Sequence, residues 1–69
     1  MKLHYYPDTD SLYLDFQTSP SIDSKVIAEG WVADYDEHGR VVGMDIQHAS
    51  TQVDLSMIET ENLPVQIRA

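Results

Sequence analysis

Trp31-Val32-Ala33-Asp34-Tyr35-Asp36-Glu37-His38-Gly39-Arg40-Val41-Val42-Gly43-Met44-Asp45-Ile46 reads as two extended segments folded back at a glycine. Asp36-Glu37-His38-Gly39 fits a four-residue hairpin loop, because the last loop position often needs a positive φ and glycine supplies it without steric cost. Pairing Tyr35 with Arg40 sets Ala33 opposite Val42 and Trp31 opposite Met44. That register gathers Trp31, Ala33, Val42, Met44 and Ile46 on one face. A slip of one residue would carry Asp34 onto the Met44 face, so the apolar pattern selects the first register. The opposite face receives Val32, Asp34, Val41, Gly43 and Asp45 and is mixed.

Upstream, residues 25–35 form one long extended run rich in Val, Ile, Trp and Tyr. Glu29-Gly30 interrupts it, and an isolated glycine in a strand predicts a bulge or bend. Gln17 to Ser24 is a loop with Pro20 near its tip. Leu12-Tyr13-Leu14-Asp15-Phe16 alternates cleanly, and Leu3 and Tyr5 alternate within residues 2–6. Pro7-Asp8-Thr9-Asp10-Ser11 is dense in turn formers, so these two segments pair as a second antiparallel hairpin.

Downstream, the period changes at Ser50. Val53, Leu55, Met57 and Ile58 fall at helical spacings, Asp54 is a candidate N-cap, and Pro64 ends the helix. Val65-Gln66-Ile67 alternates again, as a fifth strand or a docked tail. The expected fold is α+β and mostly β. It is an antiparallel meander of about four strands in two hairpins, then a short helix, in one domain spanning residues 1–69. Apolar positions on both faces and a helix too short to cover the sheet predict a homodimer.

Composition narrows the function. Lys and Arg number 4 and Asp and Glu 12, giving a net charge of −8. Such a surplus of acid disfavours nucleic acid and anionic membranes as partners, since both need clustered Lys and Arg. With 0 cysteines there is no disulfide framework, thiolate metal site or cysteine nucleophile. No apolar run is long enough to span a membrane and the N-terminus lacks the apolar core of a signal peptide, so a cytoplasmic location is expected.

Few residue constellations suggest chemistry. Asp34 to Asp45 aligns with a calcium loop, with acids at positions one, three and twelve and Gly39 at six. His38 stands at position five, where an oxygen ligand belongs, and the flanks are strands rather than helices. A divalent-metal site of Asp34, Asp36 and Asp45, with His48 as a further ligand, is therefore the alternative reading. Turn chemistry explains the same residues without a cation. Asp8-Thr9-Asp10 caps a turn and has no accompanying base, nucleophile or anion hole. His4, His38 and His48 lack any HxH or HxxxH spacing. There is no nucleophile elbow, P-loop or dinucleotide fingerprint, and Gly39-x-x-x-Gly43 lies in no apolar helix. Trp31, Tyr5, Tyr13 and Tyr35 lack interleaved cations and read as core and contact aromatics.

Two stretches carry a resemblance. Tyr5-Tyr6-Pro7-Asp8-Thr9-Asp10-Ser11-Leu12-Tyr13 resembles the opening Y-D-P-x-x-D-x-L-Y of a family of small bacterial proteins. Val32 through Ile46 resembles its centre, D-Y-D-x-x-G-x-V-G-x-E-I. The family is domain of unknown function 2283, and the likeness covers roughly residues 1–50. Tyr6 and His38 each replace a frequent Asp of the family, which weakens a metal reading of both turns, and Asp45 replaces a common Glu. The resemblance implies a small, mostly β domain with no catalytic residues to carry over. It also implies an association with small toxin-like proteins.

The resulting expectation is a non-enzymatic protein–protein interaction module without a cofactor. Its acids would complement a basic, ribonuclease-like toxin surface, in the manner of an antitoxin. The partner-binding residues are expected to be the exposed acids of the two turns, Asp8, Asp10, Asp36 and Glu37.

Overall fold

Five segments pair edge to edge in the computed structural model, which describes residues 1–64. They are β1 (Lys2–Tyr6), β2 (Ser11–Asp15), β3 (Asp23–Ala28), β4 (Trp31–Tyr35) and β5 (Val41–Ile46), followed by a single helical turn, α1 (Ala49–Gln52). All pairs are antiparallel and the order across the sheet is β1-β2-β5-β4-β3. The first hairpin joins the β3-β4-β5 meander along β2 and β5, with Leu12 opposite Ile46 and Leu14 opposite Met44. The antiparallel, mostly β architecture and the trailing short helix are those expected from the sequence.

The run at 25–35 makes two strands instead of one. Ala28 pairs with Trp31, leaving Glu29-Gly30 as a two-residue turn, and Ile27 is the extra residue of an adjacent bulge. Gly30 has φ +81, which only glycine adopts at little cost. The turn is pinned from outside: its carbonyl accepts the Gln47 N–H at 2.7 Å, and Glu29 O accepts from the Gln52 amide at 3.2 Å. The described residues thus reach five strands without the C-terminal segment. The expected strand at Val65-Gln66-Ile67 lies outside the described residues.

The central hairpin keeps the expected face for Trp31, Ala33, Met44 and Ile46 but corrects the expected partners, and at the bulge it sets Val41, expected on the other face, against Tyr35. Ala33 opposes Met44 rather than Val42, and Trp31 opposes Ile46 rather than Met44. The loop closes one residue earlier, on Asp36 and Arg40, whose N–H and carbonyl meet at 3.0 Å, with Gly39 at φ +77. That slip alone would invert every face. A bulge between Tyr35–Val41 and Asp34–Gly43 absorbs one more residue, Val42, and restores the parity. Trp31, Ala33, Met44 and Ile46 therefore share a face with Leu12 and Leu14.

The core is small. Leu12, Ala33, Val42, Ile46 and Ala49 are buried, and Leu14, Trp31, Met44 and Val53 pack against Leu12, Ile46 and Ala49. The helix expected after an Asp54 N-cap and before Pro64 does not form; the one helical turn, Ala49–Gln52, lies ahead of it. Val53 turns extended at φ −138, and Asp54 is not an N-cap but folds a local turn onto Ser56, accepting its N–H at 2.9 Å. Asp and Ser side chains compete with helical backbone in this way, and so short a segment cannot sustain nucleation unaided. The helix is capped from 40 positions away. Asp10, in the β1–β2 turn with φ 53, accepts the Ala49 N–H on its carbonyl at 2.8 Å and the Ser50 N–H on its carboxylate at 3.1 Å. These are orphan donors of a helix start, which His48, held left-handed before it, leaves uncapped.

Candidate functional site

The face opposite the core takes the alternate residues of each strand. Adjacent register positions there bring Tyr13 beside Asp45, and Gly43 between Asp15 and Asp34. Gly43 leaves a gap in the pleat, and the Tyr13 ring lies across it. A Cβ on Gly43 would sit 2.7 Å from the Tyr13 Cζ and inside its hydroxyl, so this position admits no side chain while the ring is there. From β2 the ring reaches over β5 to β4, where its hydroxyl donates to Asp34 Oδ2 at 2.6 Å. Ser24 of β3 donates to the other oxygen, Oδ1, also at 2.6 Å. One carboxylate thereby ties three strands across a fourth.

The electrostatics follow from that geometry. The bond to Asp34 holds the Tyr13 proton, burial disfavours the phenolate, and the negative charges of Asp34, Asp15 and Asp45 disfavour it further. Together they push the hydroxyl from 10.0 up to about 12. Tyr13 is thus protonated and a hydrogen-bond donor at neutral pH. His4 and Tyr6 stack loosely on the same face, 4.2 Å between ring centroids.

The four acids of the turns do not form one site. Leu12 pairs with Ile46, so the turn carrying Asp8 and Asp10 lies by the end of β5, while Asp36 and Glu37 precede its start. Strands of five or six residues separate them by roughly 17 Å at about 3.3 Å per residue. Asp36 is moreover not an exposed acid. It is buried, and its Oδ1 accepts the N–H groups of Arg40 at 3.0 Å and His38 at 2.9 Å. Those backbone bonds hold its carboxyl below the ordinary range. Asp10 is likewise engaged. The Ser50 hydroxyl at 2.6 Å and the Tyr5 hydroxyl at 2.8 Å donate to it and lower its pKa. Asp8 and Glu37 remain exposed, Glu37 in a solvent-facing pair with His38 at 3.4 Å.

The metal alternative loses its geometry. Asp34 spends both oxygens on Tyr13 and Ser24, Asp36 turns into its own loop, and His48 lies at the far end of β5. Among the described residues no three His, Cys, Asp or Glu side chains are placed to hold a metal ion. Nor is any described helix long and apolar enough to cross a membrane.

A family model described as a protein of unknown function (DUF2283) matches residues 2–50. The chain belongs to the DUF2283 family. No curated protein and no solved structure matches it. The DUF2283 match begins with β1 and ends on Ser50, so it holds the whole sheet, the Tyr13–Asp34 bond and both halves of the Asp10–Ser50 contact. The segment from Thr51 onward lies outside it. The Tyr13 crossing is the feature that the sequence reading missed. Its signal was Gly43, a lone glycine inside a strand with aromatic residues on the neighbouring strand.

Proposed function

We propose that this DUF2283 chain is a non-enzymatic, cytoplasmic interaction module that binds a basic protein through its acidic surface. One observation supports the reading above others: the carboxylates stand uncompensated. Among the described residues no Lys or Arg comes within ion-pair distance of a carboxylate, and the one close pair is Glu37 with His38. Asp15, Asp34 and Asp45 gather on one face, with Asp8 and Glu37 exposed at the two ends of the sheet. Such a field steers a cationic partner and repels nucleic acid. Asp10 and Asp36 add to that field while their oxygens serve the fold. A protein built to hold RNA, such as a toxin-like ribonuclease, has the matching chemistry, and an antitoxin-like role follows from that match.

The test is capture on the immobilised chain, from the cell that expresses it, at low and at raised salt. The expected partner is a cationic protein that is released as salt rises. Asp15→Asn combined with Asp45→Asn weakens capture, while Asp36→Asn acts through the fold. A partner retained equally at high salt, or indifferent to the paired substitutions, overturns the reading.

A further inference from the structure

We propose that the core-side face of the sheet is the interface of a homodimer, packed against the same face of a second copy. This face is half finished. A sheet needs a second layer to bury its apolar side, and among the described residues one helical turn and the segment after it cover only part of it. Between that segment and the first hairpin lies an open apolar cleft of about 700 Å³, walled by Leu3, Tyr5, Leu14, Trp31, Leu55 and Ile58.

Three features favour a second copy as the occupant. The first is charge. Two chains of −8 repel, so their contact must keep carboxylates few. The strands place Asp15, Asp34 and Asp45 on the other face, and the strand charges on this side are Asp23 and Lys25, of opposite sign, on the edge strand β3. Of the residues lining the cleft only Asp54 is charged, and its Oδ1 already accepts the Ser56 N–H and hydroxyl, so a basic partner finds one engaged carboxylate here and a like-charged copy meets less repulsion than on the other face. The second is size. The molecule is a slab of 32 × 29 × 19 Å. Its broad face is of the order of the ~800 Å² per partner that a standard stable interface needs. The third is self-complementarity. Met57, 65% exposed, protrudes beside the cleft wall formed by Ile58, 72% exposed. A two-fold axis sets each protrusion against the other copy's cleft.

Sedimentation equilibrium of the full chain over a concentration series tests this. The expected species is a dimer, twice 7.8 kDa, that persists at high salt. Met57→Glu and Ile58→Glu, at exposed positions that the monomer fold does not need, each raise the dimer dissociation constant roughly tenfold or more. Far-UV circular dichroism stays unchanged in both. Val26→Glu, 74% exposed on the opposite face, leaves the dimer intact. A chain that is monomeric throughout the series overturns the proposal. So does a dimer that ignores both tail substitutions, or one that Val26→Glu dissociates. Asp15→Asn with Asp45→Asn leaves dimerisation unchanged, so this interface and the binding of a basic partner stand or fall separately.

Discussion

Two single residues hold arrangements that their neighbours depend on. Gly43 is a ladder position with no side chain, and its emptiness lets Tyr13 cross the sheet. Gly43→Ala therefore expels the ring and breaks its bond to Asp34. The expected loss is about 1–3 kcal/mol of stability, the usual cost of overpacking. It comes with a second signature, because the Tyr13 hydroxyl returns from about 12 toward 10.0 once its partner is gone. Phenolate absorbance during alkaline titration reads this directly, with Tyr13→Phe as the assignment control. A Gly43→Ala chain that keeps its highest tyrosine step would refute the crossing. Asp36 works on the same scale with a different device. Its carboxylate replaces backbone partners for two N–H groups of a three-residue loop, which leaves it unavailable to a ligand.

Elements are joined here by contacts remote in sequence, and that is where sequence reading thins out. Alternation in 12–16 and 31–46, the turn at Pro7 to Ser11 and the glycine at position 39 were all legible, because each depends on neighbours along the chain. The faces of Trp31, Ala33, Met44 and Ile46 were legible too, since burial fixes parity, while Val41 beside the bulge was not. The partner of each residue was not, because two one-residue irregularities cancel in parity while shifting the pairing by two. Glu29-Gly30 announced a bend, yet a hairpin there needs Gln47 and Gln52 to hold it from another element. The helix failed for the converse reason. Helical spacing at Val53, Leu55, Met57 and Ile58 pointed to turns after Asp54 that local propensity does not sustain, and the turn that does form, Ala49–Gln52, lies ahead of them where Asp10 caps it. Asp10 and Ser50 thus act as one unit. Asp10→Ala lowers the melting temperature, and Ser50→Ala adds nearly nothing once Asp10 is gone. Thermal unfolding of the two single variants and the double variant measures the coupling. Strictly additive losses would mean that the turn and the helix are stabilised independently.

At the scale of the whole molecule, a small core carries a large negative charge, and pH sets the balance between them. Near neutral pH the −8 charge repels itself, so added salt raises the melting temperature. Lowering the pH relieves repulsion as carboxylates begin to protonate, and stability first climbs. Asp10, Asp36 and Asp54 then reverse the trend. Hydrogen bonds to Ser50, Arg40 and Ser56 respectively hold their folded values below the unfolded 3.8. A depressed carboxyl contributes stability that is complete above the unfolded value and is lost as pH falls through the folded one. The melting temperature therefore passes a maximum and drops below about pH 4, as the β1–β2 turn, the central loop and the segment after the helix lose their bonds. Tyr13 gives the mirror image at the alkaline end. Its folded value of about 12 exceeds the unfolded 10.0, so its contribution is complete below pH 10 and vanishes as pH rises through 12. Circular dichroism melts across this range, at one protein concentration because a dimer's stability depends on it, should trace a single broad maximum. Stability that keeps rising below pH 3.8 would show that repulsion outweighs the three capped carboxylates, and that these turns do not hold the sheet's ends together.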